Sequence, residues 1–201
     1  MFRIVPAFLI AAVSAAAIAQ APANPPVRLR GTVERIDRTH LIVKINTGQS
    51  MNVTLADNFV VIGIAKARLA DIGSGKFIGT TTVGERDGAL VALEVHIFPE
   101  NMRGTGEGHY DWDLRPNSKM TNANVAKVTS MGKDRVLTVQ YKGGEKKVLV
   151  PEKAAIVSFR PVDRSELKPG VKVFVNAQRQ PDGNLTAARV NVGLHGQVPP
   201  M

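Results

Sequence analysis

The stretch DIGSGKFIGTTTVGERDGALVALEV, residues 71–95, has a counterpart 95 positions later in ELKPGVKVFVNAQRQPDGNLTAARV, residues 166–190. Matching residues fall at the same places in both: Gly75 and Gly170, Asp87-Gly88 and Asp182-Gly183, Ala92 and Ala187, Val95 and Val190. Upstream, residues 53–55 match residues 148–150 at the same spacing. Similarity at a fixed spacing indicates a repeat. We therefore predict that the chain contains an internal duplication.

Each copy is predicted to consist mainly of short strands. Residues 30–36 and 41–45 alternate apolar and polar side chains around a polar turn, which is typical of a hairpin. The Asp-Gly pair of each copy predicts a second hairpin, because these residues tolerate positive φ. Between the third and fourth strands, residues 66–72 and 163–167 are predicted to form one or two helical turns. The predicted fold class is all-β: two tandem small barrels, either OB-like or SH3-like.

The first residues have the pattern of a secretory signal peptide. Arg3 supplies a positive charge, residues 4–19 are almost entirely apolar, and Ala17-Ile18-Ala19 fits a signal-peptidase site. The mature protein is therefore predicted to begin at Gln20 and to be periplasmic or secreted. No later stretch approaches the roughly 20 apolar residues of a membrane helix, so the sequence predicts no transmembrane span in the mature chain.

The predicted boundaries follow from the signal and the repeat. They are a signal peptide at 1–19, a first barrel at 27–99, a linker at 100–121, a second barrel at 122–195 and a tail at 196–201.

The charge is positive and unevenly distributed. The chain has 26 basic and 17 acidic residues, a net charge of +9, and no cysteine. Residues 122–201 carry 13 basic and 6 acidic side chains, or +7. An anionic partner surface for the second barrel is one interpretation of this field, and a generally basic soluble surface is the simpler alternative.

The repeated pattern resembles the exported bacterial OB-like domain family known as DUF5666. The segment ALEVHIFPENMRGTGEGHYDWDL, residues 92–114, is similar to that of an alphaproteobacterial subgroup whose members are sometimes labelled as metal ABC transporter permeases. The resemblance implies an OB-like fold and export, but it implies no activity. The sequence does not fit a permease, which would need membrane-spanning helices.

The segment 99–121 is where the repeat breaks, and it has no counterpart after the second copy. It is rich in glycine and charge, so we predict a linker rather than a strand. It contains the single tryptophan, Trp112, together with Tyr110 and Arg103. Because loops often carry function, these three residues are candidate contact residues. We expect Trp112 to pack partly into a groove between the barrels.

The strand that leads into this linker adds two polar candidates. Period-two alternation is expected to place one set of side chains in the core and Glu94 with His96 on the outer face; the core set is Val91, Leu93, Val95 and Ile97. The matching residues of the second copy are Arg189 and Asn191. The duplication thus retains the apolar face and changes the outer one.

Nitrogen and oxygen ligands of a divalent metal such as zinc, manganese or nickel are present around the linker. The candidates are Glu94, His96, Glu107, His109, Asp111 and Asp113. No HxxxH or HExxH spacing occurs, and a solvated, partly ion-paired loop is the alternative. A divalent metal is the only cofactor that the sequence indicates.

The sequence does not indicate an enzyme. It has no cysteine nucleophile and no GxSxG elbow, and no helix follows the linker glycines as a dinucleotide fingerprint would require. The predicted function is a non-enzymatic periplasmic binding or interaction module with an unidentified envelope ligand or protein. The alternatives are a metal-binding envelope protein and, behind it, a protein that binds an anionic polymer. Nucleic acid is not expected, because the second copy has few aromatic residues for base stacking and the chain is predicted to be exported.

Overall fold

The computed structural model describes residues 25–201, so the predicted signal peptide at 1–19 lies outside the described residues. The twelve strands in this range are β1 Val27–Ile36, β2 His40–Ile45, β3 Ser50–Lys66, β4 Phe77–Arg86, β5 Ala89–Ile97, β6 Gly108–Asp111, β7 Lys119–Met131, β8 Asp134–Tyr141, β9 Gly144–Val150, β10 Ala155–Val162, β11 Lys172–Arg179 and β12 Leu185–Gly193. Four short 3₁₀ turns lie at Leu69–Asp71, Glu100–Met102, Arg164–Glu166 and Leu194–Gly196. The all-β prediction is confirmed.

Five of these strands form a closed barrel, which we call ring one. Strands β1, β2 and β3 pair in succession, β3 pairs in parallel with β12, and β11 pairs with both β12 and β1. Apolar side chains that alternate along these strands fill its interior. Among them, Leu41, Val43, Val53, Val175 and Val190 are completely buried.

Five other strands form a second closed barrel, ring two. Strands β7, β8 and β9 pair in succession, β9 pairs in parallel with β5, and β4 pairs with both β5 and β7. Its interior includes the completely buried Val95, Ala123, Leu137, Val139 and Val148.

The two rings exchange their hairpins. The β4–β5 hairpin lies in the first half of the chain but closes ring two, whereas the β11–β12 hairpin lies in the second half but closes ring one. The ranges 27–99 and 122–195 therefore do not form two separate barrels. Alternation along a strand specifies which side chains turn inward, but it does not specify which strand is the neighbour.

The 95-residue spacing of the sequence recurs in the strand register. Asn191 of β12 pairs with Ile62 of β3, and His96 of β5 pairs with Val157 of β10. Ile64 pairs with Phe159, which lies 95 positions later in the chain. The two halves of the chain are thus paired in equivalent ways.

Strands β3 and β10 join the rings. Strand β10 pairs antiparallel with β3 and parallel with β5, so one hydrogen-bonded network runs through all twelve strands of residues 25–201. A third apolar cluster forms where elements of both rings meet. Its aromatic members are Phe77, Phe98, Phe159 and Phe174, with Trp112 packed against them.

Local predictions are confirmed at the turns and corrected in the linker. The predicted helical turns appear as the 3₁₀ turns at Leu69–Asp71 and Arg164–Glu166, and Asp87 and Gly88 both have positive φ. The segment predicted to be strand-free contains β6, because Gly108–Asp111 finds a partner in the start of β7. Among residues 25–201, no helix has the length and apolar character needed to cross a membrane.

Candidate functional site

The predicted outer face of β5 is buried rather than exposed. The exposed fraction is 1% for Glu94 and 3% for His96. In addition, Thr81 pairs with Glu94 and Thr82 with Ala92, which leaves Leu93 as an unpaired bulge. A bulge shifts the alternation by one residue. Ala92 therefore joins Val95 inside ring two, whereas the expected core residues Val91 and Leu93 are only half-buried.

Glu94 and His96 are close neighbours on this face. The Nε2 atom of His96 lies 3.0 Å from the Oε1 atom of Glu94, but the ring N–H is not aligned with it, so Nε2 has no hydrogen-bond partner. The Thr81 hydroxyl donates to Glu94 Oε1, and the Oε2 atom of Glu94 has no partner. Glu94 is thus held by ring two, while His96 faces the space between the rings.

A glycine makes room for His96 and Asn122. Gly79 pairs with both residues, one on each side of it. A Cβ atom at Gly79 would lie 2.4 Å from Asn122 Oδ1 and 3.3 Å from His96 Nδ1. The amide nitrogen of Asn122 donates to the carbonyl oxygens of Thr105 and Gly106, both at 3.1 Å. These bonds fix the amide orientation and leave Oδ1 as a buried acceptor without a partner.

A cavity of about 700 Å³ opens beside this face, between ring one and ring two. Its aromatic walls are His96, Phe98, Tyr110, Trp112, Phe159 and Phe174. The amide side chains of Asn122, Asn176, Gln178 and Asn191 line it as well. Its charged lining residues are Arg28 and Arg189, and within the described part of the chain no carboxylate side chain lines it.

Trp112 occupies the groove in which we expected it. Trp112 continues the β6–β7 ladder, because its backbone N–H donates to the Ser118 carbonyl at 2.9 Å. Its ring centroid lies 6.3 Å from that of Phe174 in ring one, and the Arg28 guanidinium carbon stacks 3.9 Å from the centroid. The indole is half-buried, and its N–H group has no partner.

Asp113 fastens the Trp112 segment to ring one. Its Oδ1 atom lies 2.7 Å from an Arg30 nitrogen and 3.5 Å from an Arg28 nitrogen. Partial burial raises the pKa of Asp113, but the hydrogen bond from Arg30 and the two guanidinium charges outweigh it, so the pKa lies below its usual value. Burial also raises the pKa of the nearby Tyr110 phenol, and the positive charge of Arg28 opposes part of this rise.

The structure does not bring His109 and Asp111 to Glu94 and His96. One row of paired residues runs across the strands through Tyr110, Met120, Thr81 and Glu94. His109 and Asp111 are the neighbours of Tyr110 along β6, so their side chains point to the opposite face of the sheet.

His109 and Asp111 have partners of their own. The Nδ1 atom of His109 lies 2.8 Å from the Thr121 hydroxyl. Burial, with the charges of Lys146 and Lys119, lowers the pKa of His109. Asp111 forms an ion pair with Lys119, and its hydrogen bond from that lysine lowers the pKa of its carboxyl.

The other linker candidates also have structural contacts. Glu107 accepts a hydrogen bond from the Lys142 backbone N–H at 2.9 Å. Arg103 donates to Glu100 at 2.7 Å and to the Gly75 carbonyl at 2.9 Å. Within residues 25–201, no group of three or more His, Asp or Glu side chains is placed to hold a metal ion.

Several cavity residues were not among the sequence candidates. Arg28 in β1 and Phe174 in β11 are far from the linker in the chain, whereas Asn122 in β7 directly follows it. Arg189 and Asn191 had a signal, because they replace Glu94 and His96 in the repeat. The sequence shows only that the two copies differ at these positions. It does not show that the hairpin exchange brings the outer faces of β5 and β12 to one cavity.

A second cavity, of about 620 Å³, lies on ring one beside Phe59 and Arg164. The Arg164 guanidinium stacks 4.1 Å from the Phe59 ring centroid and donates to the Phe59 carbonyl at 2.7 Å. Within the described residues, no buried side-chain polar atom lining this cavity lacks a partner. The cavity between the rings is therefore the stronger candidate.

Comparisons with protein-family models, with curated proteins and with solved structures give no significant match.

Proposed function

We propose that this protein is a non-enzymatic binding module of the bacterial envelope and that it binds a small organic molecule in the cavity between the rings. One observation carries the proposal. Three buried polar atoms without partners belong to side chains that line this single cavity: Arg28 Nε, Trp112 Nε1 and Asn122 Oδ1. Buried polar groups are normally paired, so such a concentration indicates a place built for a ligand's polar groups.

The size and lining of the cavity support a small molecule as the ligand. A volume of about 700 Å³ lies within the range of small-molecule sites. The walls are mainly aromatic, with a few polar groups, which is the usual composition of such sites.

Binding rather than catalysis is proposed because the one acid–base pair near the cavity is built into ring two. The Glu94 carboxylate accepts from Thr81 and is not a lining residue. A general acid or base must reach the reacting proton, and here only His96 reaches the cavity.

We further infer that each ring is an OB-like barrel and that the chain arose by duplication, with the hairpins then exchanged. The strand order around ring one is β1, β2, β3, β12 and β11. Counted within the repeat, this is the first, second, third, fifth and fourth strand, the order of an OB barrel. Ring two has the same order. The equal registers of the two halves support the duplication.

Export by the signal at residues 1–19 remains part of the proposal. It rests on Arg3, the apolar run and Ala17-Ile18-Ala19. N-terminal sequencing should find Gln20 first, and Met1 retained in a membrane fraction would contradict it.

Native mass spectrometry tests the binding proposal directly. Protein purified gently from its own cells should carry a small-molecule adduct. Ala188, exposed at a β12 bulge, lines the cavity, so Ala188→Phe should block it and remove the adduct. Ala126, exposed at a β7 bulge away from the cavity, provides the matched control: Ala126→Phe should retain the adduct. Wild-type protein without an adduct, or an adduct that survives in Ala188→Phe, would contradict the proposal.

Elemental analysis of the same preparation tests the divalent-metal prediction. A stoichiometric metal that His96→Ala removes would favour metal binding over the small-molecule proposal.

A further inference from the structure

We infer that the ligand of this cavity is a flat aromatic molecule that carries a carboxylate and a hydroxyl or N–H donor. The inference rests on the proposed function and specifies its ligand class. Three independent properties of the cavity lead to it: the aromatic walls, the two lining arginines and the unpaired acceptor of Asn122.

The walls favour a flat aromatic ligand. On the ring-two side, the rings of His96 and Phe159 stack with centroids 5.3 Å apart and an angle of 24°. Phe98 meets Phe159 edge-on at 5.0 Å. On the other side, Trp112 lies 6.3 Å from Phe174. Aromatic faces gain most from a partner that stacks or meets them edge-on. The cavity volume of about 700 Å³ is enough for a molecule of two or three fused rings.

The charge favours an anion. Asp113 lies 2.7 Å from Arg30 but 3.5 Å from Arg28, and Arg30 also donates to the Met201 main-chain oxygen at 2.7 Å. Arg28 is therefore the less closely paired of the two arginines. Arg189 forms no ion pair with any residue of the described chain. A cavity with Arg28 and Arg189 and no lining carboxylate attracts an anionic group and repels a cation.

The donors near Arg28 favour a carboxylate. The Arg28 guanidinium stacks on the Trp112 indole, and both Arg28 Nε and Trp112 Nε1 are donors without partners. Each donor suits one oxygen of a carboxylate, and hydrogen bonds to an ionised group are stronger than neutral ones.

The unpaired acceptor of Asn122 favours a donor on the ligand. Asn122 uses its amide nitrogen on the Thr105 and Gly106 carbonyls, so only its carbonyl oxygen is available. That oxygen lies beside His96 above Gly79. A ring hydroxyl or N–H group on the ligand donates to Asn122 Oδ1.

Isothermal titration calorimetry with three matched probes tests the ligand class. The probes are hydroxynaphthoate, naphthoate without the hydroxyl, and naphthol without the carboxylate. Hydroxynaphthoate should bind most tightly. Naphthol should bind about tenfold or more weakly, because it loses the charged hydrogen bonds. Naphthoate should bind a few-fold to about tenfold more weakly, because it leaves Asn122 Oδ1 unpaired.

Arginine variants locate the anionic end. Arg28→Gln and Arg189→Gln should each weaken hydroxynaphthoate binding about tenfold and leave naphthol binding nearly unchanged. Arg189 is exposed, so its variant keeps the test valid if Arg28→Gln fails to fold. Arg35→Gln is the matched control, because Arg35 is exposed on β1 and does not line the cavity. Its binding should equal that of the wild type.

The outcomes separate this inference from the proposed function. If naphthol binds as tightly as hydroxynaphthoate, or if Arg189→Gln has no effect, the carboxylate assignment is wrong, although the cavity still binds. If no probe binds while native mass spectrometry finds an adduct that Ala188→Phe removes, the ligand class is wrong and the binding function stands. If no probe binds and no adduct is found, both are wrong.

Discussion

The β5 and β12 strands occupy equivalent places in ring two and ring one, yet their outward side chains differ. In β5 these are Glu94 and His96, and in β12 they are Arg189 and Asn191. Each strand pairs in parallel with the third strand of its ring, and with the same register. The inward residues, by contrast, are alike: Val95 and Val190 are both completely buried.

This comparison separates what the barrel requires from what the cavity requires. A closed barrel needs small and branched apolar side chains inside, and both copies provide them. The outer faces of β5 and β12 meet between the rings. If the two faces carried the same side chains, they would line the cavity symmetrically. Because one copy presents a histidine with a buried acid and the other an arginine with an amide, the two strands contribute chemically different side chains to the cavity.

Cutting the chain should have the largest effect, because it tests whether the rings depend on each other. Fragments 25–116 and 117–201 each contain three strands of one ring and two strands of the other. We expect neither to show cooperative unfolding by circular dichroism, whereas an equimolar mixture should reconstitute the native spectrum. A fragment that folds cooperatively as a monomer would show that the hairpins can close within their own half.

Equivalent core truncations should sharpen the comparison of the two interiors. Leu41 in ring one and Leu137 in ring two are both completely buried. Leu41→Ala and Leu137→Ala should each lower the free energy of unfolding by about 2–5 kcal/mol. Because the exchanged hairpins link the rings, calorimetry should show one shifted transition in each variant. Two separate transitions, with only one of them shifted, would mean that the rings unfold independently.

Removing Trp112 should have a smaller effect, because it is only half-buried. Trp112→Ala loses the contacts with Phe174 and Arg28, so we expect a loss of about 1–2 kcal/mol in denaturant unfolding. As the single tryptophan, it should emit at shorter wavelength in the native protein than in the denatured one. Tyr141→Ala is the control for this emission and should leave it unchanged, because Tyr141 stacks with His109 rather than with Trp112. Native emission equal to that of denatured protein would contradict the packing.

Acid should have the smallest effect. The pKa of Asp113 is lowered in the folded protein, so its ion pairs contribute above the ordinary pKa of about 4 and are lost as pH falls through the lower folded value. The loss should be under about 1 kcal/mol, because the carboxylate is half exposed. Trp112 emission should shift to longer wavelength in this acid range.

The control for the acid effect is a pair of variants. Asp113→Asn should show the shifted emission at neutral pH and no acid step. Asp111→Asn should titrate like the wild type, because Asp111 pairs with Lys119 instead of with ring one. An acid step that persists in Asp113→Asn would assign it to another group.

The sequence predicted the local geometry better than the assembly. The Asp87-Gly88 turn and the inward places of Val95 and Ile97 follow from local patterns. The hairpin exchange could not be predicted, because β4 alternates in the same way whether it pairs with β1 or with β7. The bulge at Leu93 was missed for a related reason: it depends on the partner strand, which an alternation pattern does not show.

The candidate site was predicted in part. Trp112 lies in the groove between the rings, as expected, and His96, expected on the outer face of β5, lines the same cavity. His109 and Asp111 do not, because β6 pairs with β7 and turns them to the other face. Arg28, Asn122 and Phe174 had no signal in the sequence, since only the closed rings bring their strands together.

The exchanged hairpins also determine when the protein can fold. Thr32 and Lys172, which pair across β1 and β11, are 140 residues apart in the chain. Ring one therefore cannot close during translation until its last two strands have been synthesised. Contacts this distant slow folding, since a long loop must be closed before they form. For a chain that is exported, as we propose, late closure keeps the first half in a translocation-competent state until synthesis is nearly complete.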